Sequence, residues 1–195
     1  MRHYFIHDET LESKPFFFKI NLFNEPFTFK SDQGVFSKNE LDYGSKTLLK
    51  TIKIGNHQKV LDIGCGIGIM GIILKRLNPK ITLLMSDVHK RAVELAKENI
   101  KLNQVDAHVV ESNLFEAIDE TFDLILSNPP IRAGKKVIYA LYQEAHTHLN
   151  DGGSLWLVVR KNQGAKSTVH YLKTLFKEVF IKEKDKGYYV IYATK

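Results

Sequence analysis

The stretch Val60-Leu61-Asp62-Ile63-Gly64-Cys65-Gly66-Ile67-Gly68 decides the fold. A short apolar run, broken only by Asp62, meets three glycines at alternate positions. A longer apolar run then continues to Leu77. The first run reads as a buried strand over 59–63. The second reads as a helix from about 68 to 77, ended by Asn78-Pro79 because proline cannot continue a helix. Glycines lack a Cβ, so the turn between them can be sharp and its backbone can approach a ligand closely. Ligands of open α/β sheets bind beyond the carboxyl ends of the strands, which is where this turn lies.

The same alternation extends in both directions. A strand over 81–86 ends at Asp87, and a helix over 90–103 sets Ala92, Val93, Leu95, Ala96, Ile100 and Leu102 on or near one face. Strands over 107–110 and 122–127 follow, then a helix over 136–149. Asp151-Gly152-Gly153 separates that helix from a strand over 154–159, and a further helix spans about 165–176. The runs 179–184 and 188–194, joined by Asp185-Lys186-Gly187, predict an antiparallel hairpin at one end of the sheet. Upstream, 41–54 carries a helical pattern. Alternating Phe16, Phe18, Ile20 and Leu22, then Phe27 and Phe29, predict a strand pair interrupted at Asn24-Glu25-Pro26. The expected fold is α/β and Rossmann-like: a mostly parallel seven-stranded sheet with an antiparallel C-terminal hairpin and an N-terminal β-hairpin extension. One domain is expected over 1–195, with 1–40 as the extension and 41–195 as the core.

Composition narrows the function classes. Hydrophobic residues make up 44% and charged residues 26% of the 195, ordinary values for a soluble globular protein. No apolar run approaches the roughly 18 residues of a membrane span. Met1-Arg2-His3-Tyr4-Phe5 lacks a signal core, so a cytoplasmic location is expected. Cys65 is the only cysteine, which excludes an intrachain disulfide framework and a multi-cysteine zinc site. The histidines are scattered; His146 and His148, two apart on a helix, do not share a face, and no metal is expected. The net charge of +6 suits a phosphate-rich partner such as RNA, and an ordinary lysine-rich surface accounts for it equally.

The glycine turn alone does not name its ligand. Gly66-Ile67-Gly68-Ile69-Met70-Gly71 also matches the dinucleotide pattern, so an NAD-dependent oxidoreductase is the rival reading. Asp87 suits the hydroxyls of a ribose in either case. Asp62 separates the two, because a carboxylate there would repel a pyrophosphate and attract the sulfonium and ammonium groups of S-adenosyl-L-methionine. The candidate cofactor-binding residues are Asp62, Gly64, Cys65, Gly66, Gly68, Asp87, Val88, Asn113, Leu114 and Asn128. Asn113 is placed either against the adenine or simply in a turn. Cys65 is read as a small side chain fitting the turn, not as a nucleophile.

Asn128-Pro129-Pro130-Ile131 closes the fourth regular strand, and these four are the candidate catalytic residues. An exocyclic amine is a poor nucleophile because its lone pair is delocalised. Accepting hydrogen bonds from its N–H groups turns that lone pair toward a methyl carbon. The Asn128 side-chain oxygen and the Pro129 carbonyl suit this, and the prolines stiffen them by fixing φ. In-line positioning then supplies much of the rate, with no strong base required.

With these residues the chain resembles the small-domain (MTS) group of class I S-adenosylmethionine-dependent methyltransferases, which includes ribosomal small-subunit RNA guanine-N2 methyltransferases. The resemblance runs from about 27 to 194. It rests also on Gly34-Val35-Phe36-Ser37, Leu41-Asp42-Tyr43-Gly44-Ser45, Arg132-Ala133-Gly134-Lys135 and Gln163-Gly164-Ala165-Lys166-Ser167. It implies that Asp62, Gly64 and Gly66 bracket the methionine part of the cofactor, that Asp87 holds the ribose, and that Asn128 to Ile131 hold the target amine. Residues 34–37 would cover the active-site mouth. Many amino-methyltransferases carry Phe or Tyr after the Asn-Pro-Pro, where the ring stacks on the base; this chain has Ile131. Either another aromatic such as Phe36 stacks, or apolar contact holds the base. Phe36, Arg132 and Lys135 are the candidate substrate-binding residues. Lys136, Arg160, Lys161 and Lys166 add positive charge near the same edge. The leading expectation is methylation of guanine N2 in ribosomal RNA, free or in the small ribosomal subunit, by a monomer or homodimer. The alternative is methylation of a protein glutamine.

Overall fold

The structure, a computed structural model, describes residues 12–33, 35 and 41–195. Strands β1 (Phe16–Leu22) and β2 (Glu25–Ser31) form a separate antiparallel ribbon. Helix α1 (Tyr43–Thr51) leads to β3 (Lys59–Ile63), α2 (Ile69–Leu77), β4 (Thr82–Asp87), α3 (Lys90–Leu102), β5 (His108–Glu111) and β6 (Phe122–Ser127). Helix α4 (Lys135–His148), β7 (Leu149–Arg160), α5 (Ala165–Leu172), β8 (Glu178–Asp185) and β9 (Tyr188–Thr194) complete the chain. The main sheet has seven strands in the order β5-β4-β3-β6-β7-β9-β8. Strands β3 to β7 run parallel, and β9 is antiparallel to both its neighbours. Strand order reverses between β3 and β6, so the crevice that binds ligands in such sheets opens there.

Strand β3 is apolar on both faces because both are covered. Val60 packs with Leu83, Met85, Leu124 and Leu126 beneath α1, α2 and α3, and Leu61 and Ile63 pack with Ile125, Leu155 and Leu157 beneath α4 and α5. These two layers form the core and hold the carboxyl ends of β3, β4 and β6 in fixed relation.

Two asparagines dock the ribbon onto α3. The Asn99 Oδ1 accepts the Lys30 N–H at 2.7 Å while its Nδ2 donates to the Lys30 carbonyl at 3.0 Å and the Ile67 carbonyl at 3.0 Å. The Asn103 amide repeats the exchange with Thr28, at 3.2 Å and 2.8 Å. Four helical residues rise about 6 Å and two strand residues about 6.6 Å, so the two amides match the repeat of β2. Beside them, Asp32 accepts bonds from the Ser13 hydroxyl (2.7 Å), the Lys14 N–H (2.7 Å) and the Arg91 guanidinium.

Among the boundaries that differ from the sequence expectation, three have a clear local cause. The ribbon turns at Phe23-Asn24, both with positive φ, and Pro26 lies within β2 opposite Asn21. A short ribbon tolerates the missing proline N–H near its end. Strand β7 begins at Leu149, because Asp151-Gly152-Gly153 stays in the ladder as an irregularity: Gly152 has φ +76° and the register with β6 shifts between Phe122 and Leu124. Helix α5 ends at Leu172, after which Thr174 and Leu175 donate to Tyr171 and Leu172 in tighter turns.

Candidate active site

The glycines of the β3–α2 turn do different jobs. Gly64, Gly66 and Gly68 all have positive φ, at 71°, 57° and 86°. A Cβ on Gly66 would meet nothing within 4 Å, so this backbone borders open space. A Cβ on Gly68 would lie 3.3 Å from Ala96 and 3.4 Å from Met85 Sδ, so this glycine serves the packing of α2 against α3 and β4. The turn is tied to the neighbouring strand: the Gly64 and Cys65 N–H groups both donate to the Ser86 carbonyl at 2.9 Å, and the Gly66 N–H donates to Asp87 Oδ2 at 2.8 Å.

Asp62 is fully buried beneath this turn. Its Oδ2 accepts the Gly71 N–H at 2.8 Å, and its Oδ1 has no hydrogen-bond partner among the described residues. Burial pushes its pKa up to about 7; the Gly71 N–H opposes the shift and the charge of Asp87 adds to it. Asp87 Oδ1 accepts the His89 N–H at 2.9 Å and lies 3.0 Å from His89 Nδ1. A buried carboxylate oxygen without a partner, a second carboxylate nearby and a glycine backbone facing open space together fit a cationic ligand that also carries a ribose. Burial and the charges of Asp62 and Asp87 raise the Cys65 thiol well above its ordinary value, in keeping with a small structural side chain. Val88, Asn113 and Leu114 reach the same edge, since the Ser112 N–H donates to the Asp87 carbonyl at 2.9 Å. Asn113 is exposed and donates to Glu116 Oε1 at 2.8 Å, within its own turn.

The second half of the site closes β6. The Ser127 hydroxyl donates to the Ile63 carbonyl at 2.7 Å, which locks this strand end to the start of the glycine turn. Asn128 Nδ2 lies 3.2 Å and 3.3 Å from the two Asp42 oxygens and 3.1 Å from Ser45 Oγ. Pro129 is buried, and the Pro130 carbonyl accepts the Ala133 N–H at 2.8 Å as the chain enters a 3₁₀ turn. Ile131 forms one wall of a cavity of about 280 Å³, shared with Lys135, Tyr139, Gln163 and Ser167. The Tyr139 ring stacks on Tyr171 at 3.9 Å and 6°. Asp42, Ser45 and Tyr139 thus join the site without having been singled out as site residues. A carboxylate three residues before a serine at a helix start is a visible capping signal, whereas Tyr139 carries no signal beyond its place one turn after Lys135. Lys135, Lys136, Arg160, Lys161 and Lys166 are exposed around this edge. The Arg160 guanidinium lies 4.8 Å over the Tyr188 ring. Phe36 and the side chain of Arg132 lie outside the described residues.

The methyltransferase small domain model matches residues 26–192. The chain belongs to the methyltransferase small-domain family. As a member of that family it uses S-adenosylmethionine as methyl donor, and the nicotinamide alternative is set aside. The uncharacterized protein YbxB of Bacillus subtilis is 42% identical over 197 residues, 99% of this chain and 98% of that one. The ribosomal RNA small subunit methyltransferase C of Haemophilus influenzae (strain Rd) is 39% identical over 160 residues, 76% of this chain and 48% of the relative. The solved T. thermophilus 16S rRNA N2 G1207 methyltransferase, in complex with AdoMet and guanosine, superposes with a TM-score of 0.86 at 25% identity, over 95% of this chain and 52% of that one. This small-domain chain therefore spans about half the length of the ribosomal RNA methyltransferases it matches. Among the described residues, no helix is long and apolar enough to cross a membrane, and no group of three or more His, Cys, Asp or Glu is placed to hold a metal.

Proposed function

We propose that this methyltransferase acts on an exocyclic amine of ribosomal RNA, guanine N2 above all. The observation that carries the reading is the Asn128 carboxamide at the end of β6. Its NH2 is occupied by Asp42 and Ser45, while its carbonyl oxygen accepts no hydrogen bond among the described residues and is left for a donor, beside the glycine turn and followed by two prolines. Bound S-adenosylmethionine supplies an electrophilic methyl group on a sulfonium. Asn128 and the Pro129 carbonyl would accept the amine N–H groups and turn its lone pair toward that methyl. Asp62 would hold the ammonium of the cofactor, and Asp87 its ribose, with Gly64 and Gly66 allowing close approach of the backbone. Once methylated, the nitrogen is cationic and its proton leaves to water, so no strong base is needed. The cavity beside Ile131, walled by Tyr139, is sized for a nucleobase and would replace the aromatic residue that commonly follows Asn-Pro-Pro. The exposed basic residues around it would hold phosphates. The ribosomal RNA methyltransferases, of whose length this chain spans about half, support the substrate class. On this reading residues 41–195 are the catalytic core, with the first 40 residues an extension of the same domain.

The test is transfer of labelled methyl from S-adenosylmethionine to unmodified ribosomal RNA, to small ribosomal subunits and to a ribosome-free protein extract, side by side. Label in RNA that maps to a guanine N2 is the expected result. Label confined to protein would replace this reading with glutamine methylation.

A further inference from the structure

We infer that Asp42 and Ser45 are positioning residues for methyl transfer, holding the Asn128 carboxamide in the one orientation that presents its oxygen to the target amine. The inference rests on the role proposed for Asn128. A carboxamide offers two donors at one end and an acceptor at the other, in nearly the same shape, and its terminal torsion is roughly two-fold. Turned the wrong way, Asn128 would present N–H groups to an amine that also donates. Asp42 removes that state, because a carboxylate only accepts, and it lies 3.2 Å and 3.3 Å from Nδ2. The Ser45 hydroxyl, buried and 3.1 Å from Nδ2, takes up the rest of the donor end.

Asp42 is itself held in place. Its Oδ1 caps α1 by accepting the Ser45 N–H at 3.1 Å. At Gly44 a Cβ would come within 2.8 Å of the Tyr188 ring and 3.1 Å of that same oxygen, so only glycine lets α1 bring its cap this close to β9 and Asn128. The cap of α1 and the end of β6 are 86 residues apart in the chain. A cap alone requires no such partner. An anion behind the NH2 also polarises the amide, so its oxygen becomes a stronger acceptor as the amine nitrogen gains positive charge.

The test separates capping from positioning. In Asp42→Ser the new hydroxyl caps α1 but does not reach the carboxamide; Ser45→Ala keeps the cap and removes the second contact. Both are expected to melt within a few degrees of the wild type and to bind S-adenosylmethionine normally, with kcat down about 10- to 100-fold. In an Asn128→Ala background, adding Asp42→Ser should cost nothing further, the signature of a residue acting through its neighbour. A second readout needs no substrate: the Asn128 side-chain NH2 signals in a ¹⁵N spectrum of the full chain should exchange slowly with water in the wild type and quickly in both variants. Unchanged exchange in both variants, or Asp42→Ser with kcat within twofold of wild type, overturns the inference. If the wild type methylates only protein, the RNA reading fails. The cycle is then run on that protein substrate and the exchange measurement stands unaltered.

Discussion

Asp62 and Gly71 share one hydrogen bond and no spare room. The carboxylate takes the Gly71 N–H at 2.8 Å, and a Cβ on Gly71 would sit 3.1 Å from that oxygen and 2.6 Å from Met85 Sδ. The first turn of α2 therefore rests directly on the acid and on β4. Gly71→Ala must push the helix or Met85 aside, and overpacking of a buried site costs about 1–3 kcal/mol. Since the helix start carries the glycine turn with it, S-adenosylmethionine affinity should drop about tenfold, equivalent to about 1.4 kcal/mol. Calorimetric unfolding and titration of the variant check both numbers.

The raised pKa of Asp62, about 7 against an ordinary 3.8, has two consequences of defined sign. The folded state binds a proton more readily than the unfolded chain, so this group's contribution to stability is complete below pH 4 and is lost as pH rises through 7. A cofactor ammonium needs the ionised form, so binding should release a proton below pH 7 and tighten as pH rises through it. Titration in buffers of different ionisation heat counts that proton. Asp62→Asn should abolish the release, and a wild type that releases none at pH 6 would separate Asp62 from the ammonium.

Asp32 behaves in the opposite sense. Burial alone would raise its pKa, but bonds from Ser13, Arg91, Lys14 and Gln33 outweigh burial and hold it at about 2. Its contribution is complete above pH 4 and is lost as pH falls toward 2. Asp32→Ala leaves the half-buried Arg91 guanidinium without this carboxylate and should cost about 1–3 kcal/mol at pH 7 while flattening the acid limb of the stability profile, measured by urea unfolding from pH 2 to 7.

If the cavity beside Ile131 receives a base, the flat Tyr139 ring is its stacking surface. Tyr139→Ala should raise KM for RNA by about tenfold, since stacking on an aromatic is worth about 1–3 kcal/mol, with cofactor affinity unmoved. An unchanged KM for RNA would remove Tyr139 from the substrate site.

The parts of the molecule that the sequence made legible are those whose causes are local. The strand–glycine–helix unit at 59–77, the proline-stiffened end of β6 and the C-terminal hairpin all follow from residues adjacent in the chain. What stayed hidden depends on partners brought in from afar. Asp42 looks like a cap and nothing more until Asn128 is placed beside it. Asp151-Gly152-Gly153 looks like a turn, yet the neighbouring β6 keeps it in the ladder. Asn99 and Asn103 look like the polar tail of an amphipathic helix, though both are almost fully buried. Asn113 reads in sequence either as an adenine contact or as a turn residue, and its amide is engaged by Glu116 within its own turn, a contact that spacing alone does not reveal.

The two asparagines of α3 carry a last consequence. A two-stranded ribbon is at best marginal alone in water, and here the rotational phase of a helix sets which residues of β2 can be bonded. Insert one residue between Asn99 and Asn103 and the second amide swings about 100° away from Thr28. The helix acts as a ruler for the strand, and because Asn99 also holds the Ile67 carbonyl, the same ruler is pinned to the glycine turn between β3 and α2.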